Sequence, residues 1–115
     1  MKKAAVMAAA LVWALHAGAE QKHGVEVYPG AKADADVAKE VAKMGIKDAG
    51  TFRTNDAVAK VAEFYRGQKL KQENLDADGA LFTGKNVTVT VQRPWMDMKT
   101  GTIMKDTLIS IVKKK

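Results

Sequence analysis

The amino-acid sequence predicts an α+β fold, two helices packed on one face of a mostly antiparallel sheet of about four strands. Apolar residues recur at helical spacing in the first half of the chain and alternate singly with polar residues in the second. Turn residues separate the two regimes, and no repeat, linker or low-complexity tract divides the chain. Residues 20–115 therefore read as a single domain ending in a basic tail, residues 113–115.

The first element lies outside that domain. Lys2 and Lys3 form a positive start, residues 4–15 are an uncharged apolar run, and Ala17, Gly18 and Ala19 are the small residues a signal peptidase requires. Residues 1–19 thus read as a signal peptide, with a mature chain beginning near Glu20. A retained anchor is the competing reading, but a spanning helix needs roughly 20 apolar residues and this run is shorter. The expected location is periplasmic or secreted, with no stable membrane insertion after cleavage.

Val25, Val27 and Tyr28 begin an extended segment that Pro29 and Gly30 turn. Residues 34–44 then read as a helix. Val37, Val41 and Met44 share one face, Asp34 can cap the start and Gly45 can end it. A short strand over 51–54 leads into a second helix, with Thr54 or Asn55 as its cap. Val58, Val61, Ala62 and Tyr65 form its apolar stripe, widened by Phe64, and Gly67 marks its exit. Residues 70–75 and 80–82 follow as strands, then a turn at 83–86. In the strand 87–91 the three valines point inward and the two threonines outward. The final strand, 107–112, is apolar on both faces, which suits a central or helix-covered position.

Charge and composition narrow the chemistry. The whole chain carries +6, but without Lys2 and Lys3 it holds 17 basic against 13 acidic residues, or +4. Lys113, Lys114 and Lys115 supply three of those charges and read as a solvated tail, or else as one touching anionic lipid or cell-wall polymer, leaving a body near +1 that implies no nucleic-acid partner. The chain has no cysteine, and its mature part has one histidine, His23, and one serine, Ser110. Disulfides and thiol chemistry are therefore absent, and a serine nucleophile beside a histidine base has no support. The acidic pairs Asp34 with Asp36 and Asp76 with Asp78 sit in polar, turn-like surroundings and read as caps and turns. No cofactor motif is present, and a non-enzymatic protein is expected.

One order of residues is distinctive. Tyr28-Pro29-Gly30-Ala31 is followed by Thr51-Phe52-Arg53-Thr54-Asn55-Asp56 and then Val61-Ala62-Glu63-Phe64-Tyr65. This resembles a family of uncharacterised exported bacterial α+β domains with a YPGA turn, a T-x-D strand-to-helix junction and a V-x-x-FY helix. The resemblance implies an exported α+β domain and no particular activity. This chain departs from the simplest pattern by inserting the helical segment 34–44 between turn and strand.

The least ordinary stretch is residues 93–104, a long connection between two strong strands with one tryptophan and three methionines. It reads either as a hairpin folded back on the sheet or as a contact surface, since Trp and Met favour interfaces. Trp95, Met96 and Met98 are the candidate binding residues, with Tyr28 and Arg93 beside them. The expected function is a small exported envelope protein that binds a protein, polymer or small ligand. The alternative is Cu(I) binding through Met96, Met98 and Met104 with His23, because thioethers and imidazole suit a soft ion.

Overall fold

The computed structural model describes residues 20–114, so the predicted signal peptide falls outside the described residues. In chain order a short hairpin, β1 (Gln21–Lys22) and β2 (Val25–Glu26), precedes β3 (Lys32–Ala33) and α1 (Ala35–Lys43). Next come β4 (Gly50–Thr54), α2 (Val58–Arg66), β5 (Lys71–Asp76), β6 (Gly79–Thr83) and β7 (Val87–Gln92). A second hairpin, β8 (Trp95–Asp97) and β9 (Thr102–Met104), leads to β10 (Thr107–Lys113). The main sheet is antiparallel, in the order β3-β4-β10-β7-β6-β5.

Alternation decides which way the sheet faces. Val87, Val89 and Val91 are buried while Thr88 and Thr90 point to the other face, as the sequence pattern requires. Register then carries the valine side across the sheet, matching Phe52 with Ile109, Ile109 with Val91, and Val91 with Ala80. One residue pair along, Ile111, Val89 and Phe82 form the next row. On this face α2 lays down Val58, Val61, Ala62 and Tyr65, and Val25, Val27 and Tyr28 close the edge of the same core.

The structure departs from the sequence expectation in two respects. The main sheet has six strands rather than about four: the two-residue β3 extends one edge, and the wholly exposed β5, over the segment expected as the strand 70–75, forms the other. The helices also lie on opposite faces. Leu108 points away from Ile109, and on that second face it clusters with Val37 of α1, Trp95 and Met104. A strand apolar on both sides needs two covers, and one helix covers each. Edge strand β5 is shielded from further pairing by its charged residues and by a bulge between Gln72 and Asn74.

The helix ends follow local chemistry. Asp34 caps α1 by accepting from the N–H groups of Asp36 (3.1 Å) and Val37 (3.2 Å), and Gly45 leaves the helix at φ +95°. The second helix differs from expectation, since Ala57 is its N-cap and makes no side-chain bond. Thr54 instead closes a turn by accepting from the Asp56 N–H (3.2 Å), which frees the Asp56 carboxylate for Tyr28.

Aromatic rings tie α2 to the start of the domain. Tyr28 and Phe64 meet edge to face at 5.4 Å, Phe64 and Tyr65 at 5.0 Å, and the buried Tyr28 N–H donates to the Tyr65 hydroxyl (3.0 Å). Burial and the adjacent Asp56 carboxylate push the Tyr28 hydroxyl up from 10.0 to about 12, and burial raises Tyr65 as well. Both are neutral in the fold, so their contribution is fully present below pH 10 and is lost as pH rises towards 12. These are the only two tyrosines in the chain. Tyrosinate absorbance of the folded protein is therefore expected to be absent at pH 10 and to appear with unfolding near pH 12; half-ionisation at pH 10 in the folded state would contradict this packing.

Candidate functional site

The Trp95 hairpin is built from its base. Arg93 fixes where it leaves the sheet, donating through one guanidinium nitrogen to the carbonyls of Asn55 (2.9 Å) and Asp56 (3.3 Å) and to the Thr107 hydroxyl (3.3 Å). The buried Thr107 in turn donates to the Asp56 carbonyl (2.6 Å). Asp97 and Gly101 shape the tip. The Asp97 side chain accepts from the Lys99 N–H (3.0 Å), its carbonyl from the Gly101 N–H (2.7 Å), and Gly101 takes φ +75°.

Between base and tip, Trp95 lies flat on the second face of the sheet, only 5% exposed, against Val37 and Leu108. Its indole N–H donates to Asp106 (2.9 Å), and the Arg53 guanidinium sits 5.1 Å above the ring centre. Arg53 also donates to Asp106 (2.8 Å) and to Asp34 (3.3 Å), the residue that caps α1. A further ion pair, Lys99 to Asp36 (3.8 Å), joins the hairpin tip to the first turn of that helix. The paired Arg53 and the indole N–H hold the Asp106 carboxyl below the usual carboxylate range against the opposing effect of burial.

Helix and hairpin do not close on each other. Between them runs a groove of about 340 Å³ with Leu108 and Ser110 as floor, Val37, Val41 and Met44 as one wall, and Trp95, Met96 and Met98 as the other. Met44, Met96 and Met98 are 58%, 56% and 46% exposed, so the wall tops are apolar and open to solvent. Glu40 and Asp97 stand at the rim.

Trp95, Met96 and Met98 are thus brought together as the sequence suggested, and the remaining candidates go elsewhere. Tyr28 is buried in the core of the opposite face with its hydroxyl on Asp56, and Arg93 is occupied at the hairpin base. Met104 pairs across the hairpin with Trp95 and packs beneath it, whereas Met96 pairs with Ile103. His23 sits on the N-terminal hairpin and donates to the Asp48 carbonyl (2.8 Å), at the Ile111 end of β10 rather than the Leu108 end. The four proposed copper ligands therefore do not converge.

Met44, Val41, Arg53 and Asp106 are site residues that sequence reasoning did not nominate. Val41 and Met44 were expected to face the core; their spacing signalled an apolar stripe, and only its first residue, Val37, is buried. A second, polar cleft of about 560 Å³ lies beside Pro29, Gly30, Lys32 and Asn55, with Asp34, Asp56 and Asp106 around it. Each of these carboxylates already holds a partner, Arg53 for Asp34 and Asp106, and the Tyr28 hydroxyl for Asp56.

Because the Asp106 carboxyl is depressed in the fold, its stabilising effect is present above the unfolded value of 3.8 and is lost as pH falls through the folded one. Asp106→Asn is expected to lower stability at neutral pH by about 1–2 kcal/mol and to flatten the loss of stability between about pH 5 and pH 3. Denaturant unfolding followed by Trp95 emission across that range checks this, and parallel pH profiles for the two proteins would remove Asp106 from the account.

Comparison with known proteins returns no match: no family model, no curated protein and no solved structure matches this chain.

Proposed function

We propose that this protein is an exported, non-enzymatic binding module of the bacterial envelope, and that its site is the groove between α1 and the Trp95 hairpin. The observation behind this reading is the uncovered stripe of α1: Val41 and Met44 continue the buried line of Val37 into a space faced by Met96 and Met98. A soluble domain has no structural reason to leave three methionines around one concavity, and an unbranched thioether adapts to varied apolar shapes. The volume, about 340 Å³, falls in the range of small-ligand sites. Asp97 beside the groove favours a mostly apolar ligand that carries a hydrogen-bond donor, while Glu40 is already paired with Lys43 (3.3 Å). The resemblance to exported bacterial domains supports the compartment; its motif residues have structural work, with Tyr28, Asp56, Phe64 and Tyr65 holding the domain's first core together.

The neutral dye Nile red is expected to bind with enhanced emission. Met44→Glu and Met96→Glu should each weaken it by about tenfold or ~1.4 kcal/mol, while Leu75→Glu on the distant edge strand leaves it unchanged. Equal loss from all three variants, or none, would remove the groove as the site.

A second reading, Cu(I) binding, is favoured by one observation: Met44, Met96 and Met98 line the same groove. The ligand set is then these three thioethers rather than one including Met104 and His23. Titration with Cu(I) under a competing chelator should give an affinity tighter than micromolar that Met96→Leu and Met98→Leu reduce by at least tenfold, and His23→Ala does not change. Affinity no tighter than micromolar in the parent protein sinks this reading and leaves the apolar one intact.

A further inference from the structure

Lysines gather at one end of the strands of this molecule. Four segments meet at one end: the turn after α1, residues 45–49; the exit of α2, residues 67–70; the β6–β7 turn, residues 84–86; and the end of β10. Contacts join them, since Lys113 pairs with Val87, the Lys114 N–H donates to the Asn86 carbonyl (2.8 Å), and the Lys114 ammonium reaches the Gly84 carbonyl (3.5 Å). Lys47, Lys113 and Lys114 share one concavity of about 540 Å³ with Ile46 and Val112. Lys69 and Lys85 lie beside the same turn, next to His23.

All five of these lysines are exposed, and among the described residues none takes part in an ion pair. Asp48 is the sole acidic residue in the four segments, and Lys22 neutralises it at 2.8 Å. The other end is mixed in sign: Asp34, Asp56, Asp76, Asp78 and Asp106 stand there with Arg53, Arg93, Lys32, Lys60 and Lys105. A body of nearly balanced charge therefore presents five unpaired lysines together at one end.

We propose that the basic end docks on the surface of an anionic bilayer. Lysines alone would suit any polyanion, but Ile46 stands 38% exposed among them with the half-buried Val112 beside it. Apolar side chains ringed by ammonium groups match the layered chemistry of a bilayer surface, where phosphates lie above hydrocarbon. Docking is peripheral, since no helix among the described residues is long and apolar enough to cross a membrane.

The test is sedimentation of the protein, in the form recovered from its native compartment, with vesicles of phosphatidylcholine alone or mixed with phosphatidylglycerol. Binding is expected only to the mixed vesicles and should weaken as salt is raised. The variant combining Lys47→Gln, Lys113→Gln and Lys114→Gln should partition about 100-fold less, roughly fivefold for each lysine near the surface. Ile46→Gln should lower binding by at least threefold without changing its salt dependence, and Met96→Glu, which disables the groove, should leave it unchanged. No partitioning of the parent protein, or equal partitioning of the triple variant, overturns the proposal. So does binding to soluble inorganic polyphosphate as tight as to vesicles with no effect of Ile46→Gln, which assigns the lysines to a soluble polyanion.

Discussion

The Arg53 guanidinium meets three groups from three separate parts of the chain: the Asp34 cap of α1, the Asp106 carboxylate before β10, and the face of the Trp95 ring. A planar fork with several fixed donors can satisfy two carboxylates and still stack on an indole, which a lysine ammonium cannot do. Asp106 closes the circuit by accepting from Trp95 as well. The whole second face of the sheet is organised from this point. Helix α1 is oriented by its cap, the hairpin by its tryptophan, and the space left between them is the groove.

The two faces of the sheet solve different problems. On the first, α2 and the Tyr28 segment bury an unbroken apolar row against β4, β10, β7 and β6, with Tyr65, Phe82, Ile109 and Ile111 essentially sealed from water. A domain of this length without disulfides depends on such a core, because packing is its main source of stability. The second face has less apolar surface to bury, with Leu108 buried and Leu81 and Val112 only half-buried. A nine-residue helix and a short hairpin suffice to cover it, and polar ties do the positioning. Leaving part of that face open therefore costs little, so a concavity can persist there.

Legibility in the sequence follows the same division. Where one periodicity dominated, as in 87–91 or along Val58, Val61, Ala62 and Tyr65, burial came out as the pattern implies. The doubly apolar strand 107–112 was recognisable as central, yet its meaning for the helices was not: Leu108 against Ile109 is a difference of one residue in parity, and only pairing with β7 and β4 assigns each its cover. The strand count fell short because β3 is fixed by two pairings to Arg53 and Phe52 and has almost no pattern of its own. At the site, Trp95, Met96 and Met98 were visible as an oddity of composition. Arg53 and Asp106 were not, since they are 53 residues apart and nothing local marks either as a partner. Met44 was misread for a related reason: helical spacing shows that a stripe exists, but not where its cover stops.

Groove and basic end share a boundary at the C-terminus of α1. Met44 forms part of the groove wall and Ile46 part of the basic concavity, with Gly45 turning the chain between them. Lys43, in the last turn of α1, is favoured there by the helix dipole and is paired with Glu40 (3.3 Å). A body seated on a bilayer by Lys47, Lys113 and Lys114 would bring the Met44 end of the groove close to the headgroup layer and leave the Met96 end farther from it. The two proposals would then share a source, because an apolar molecule partitions into the bilayer on which the basic end would rest.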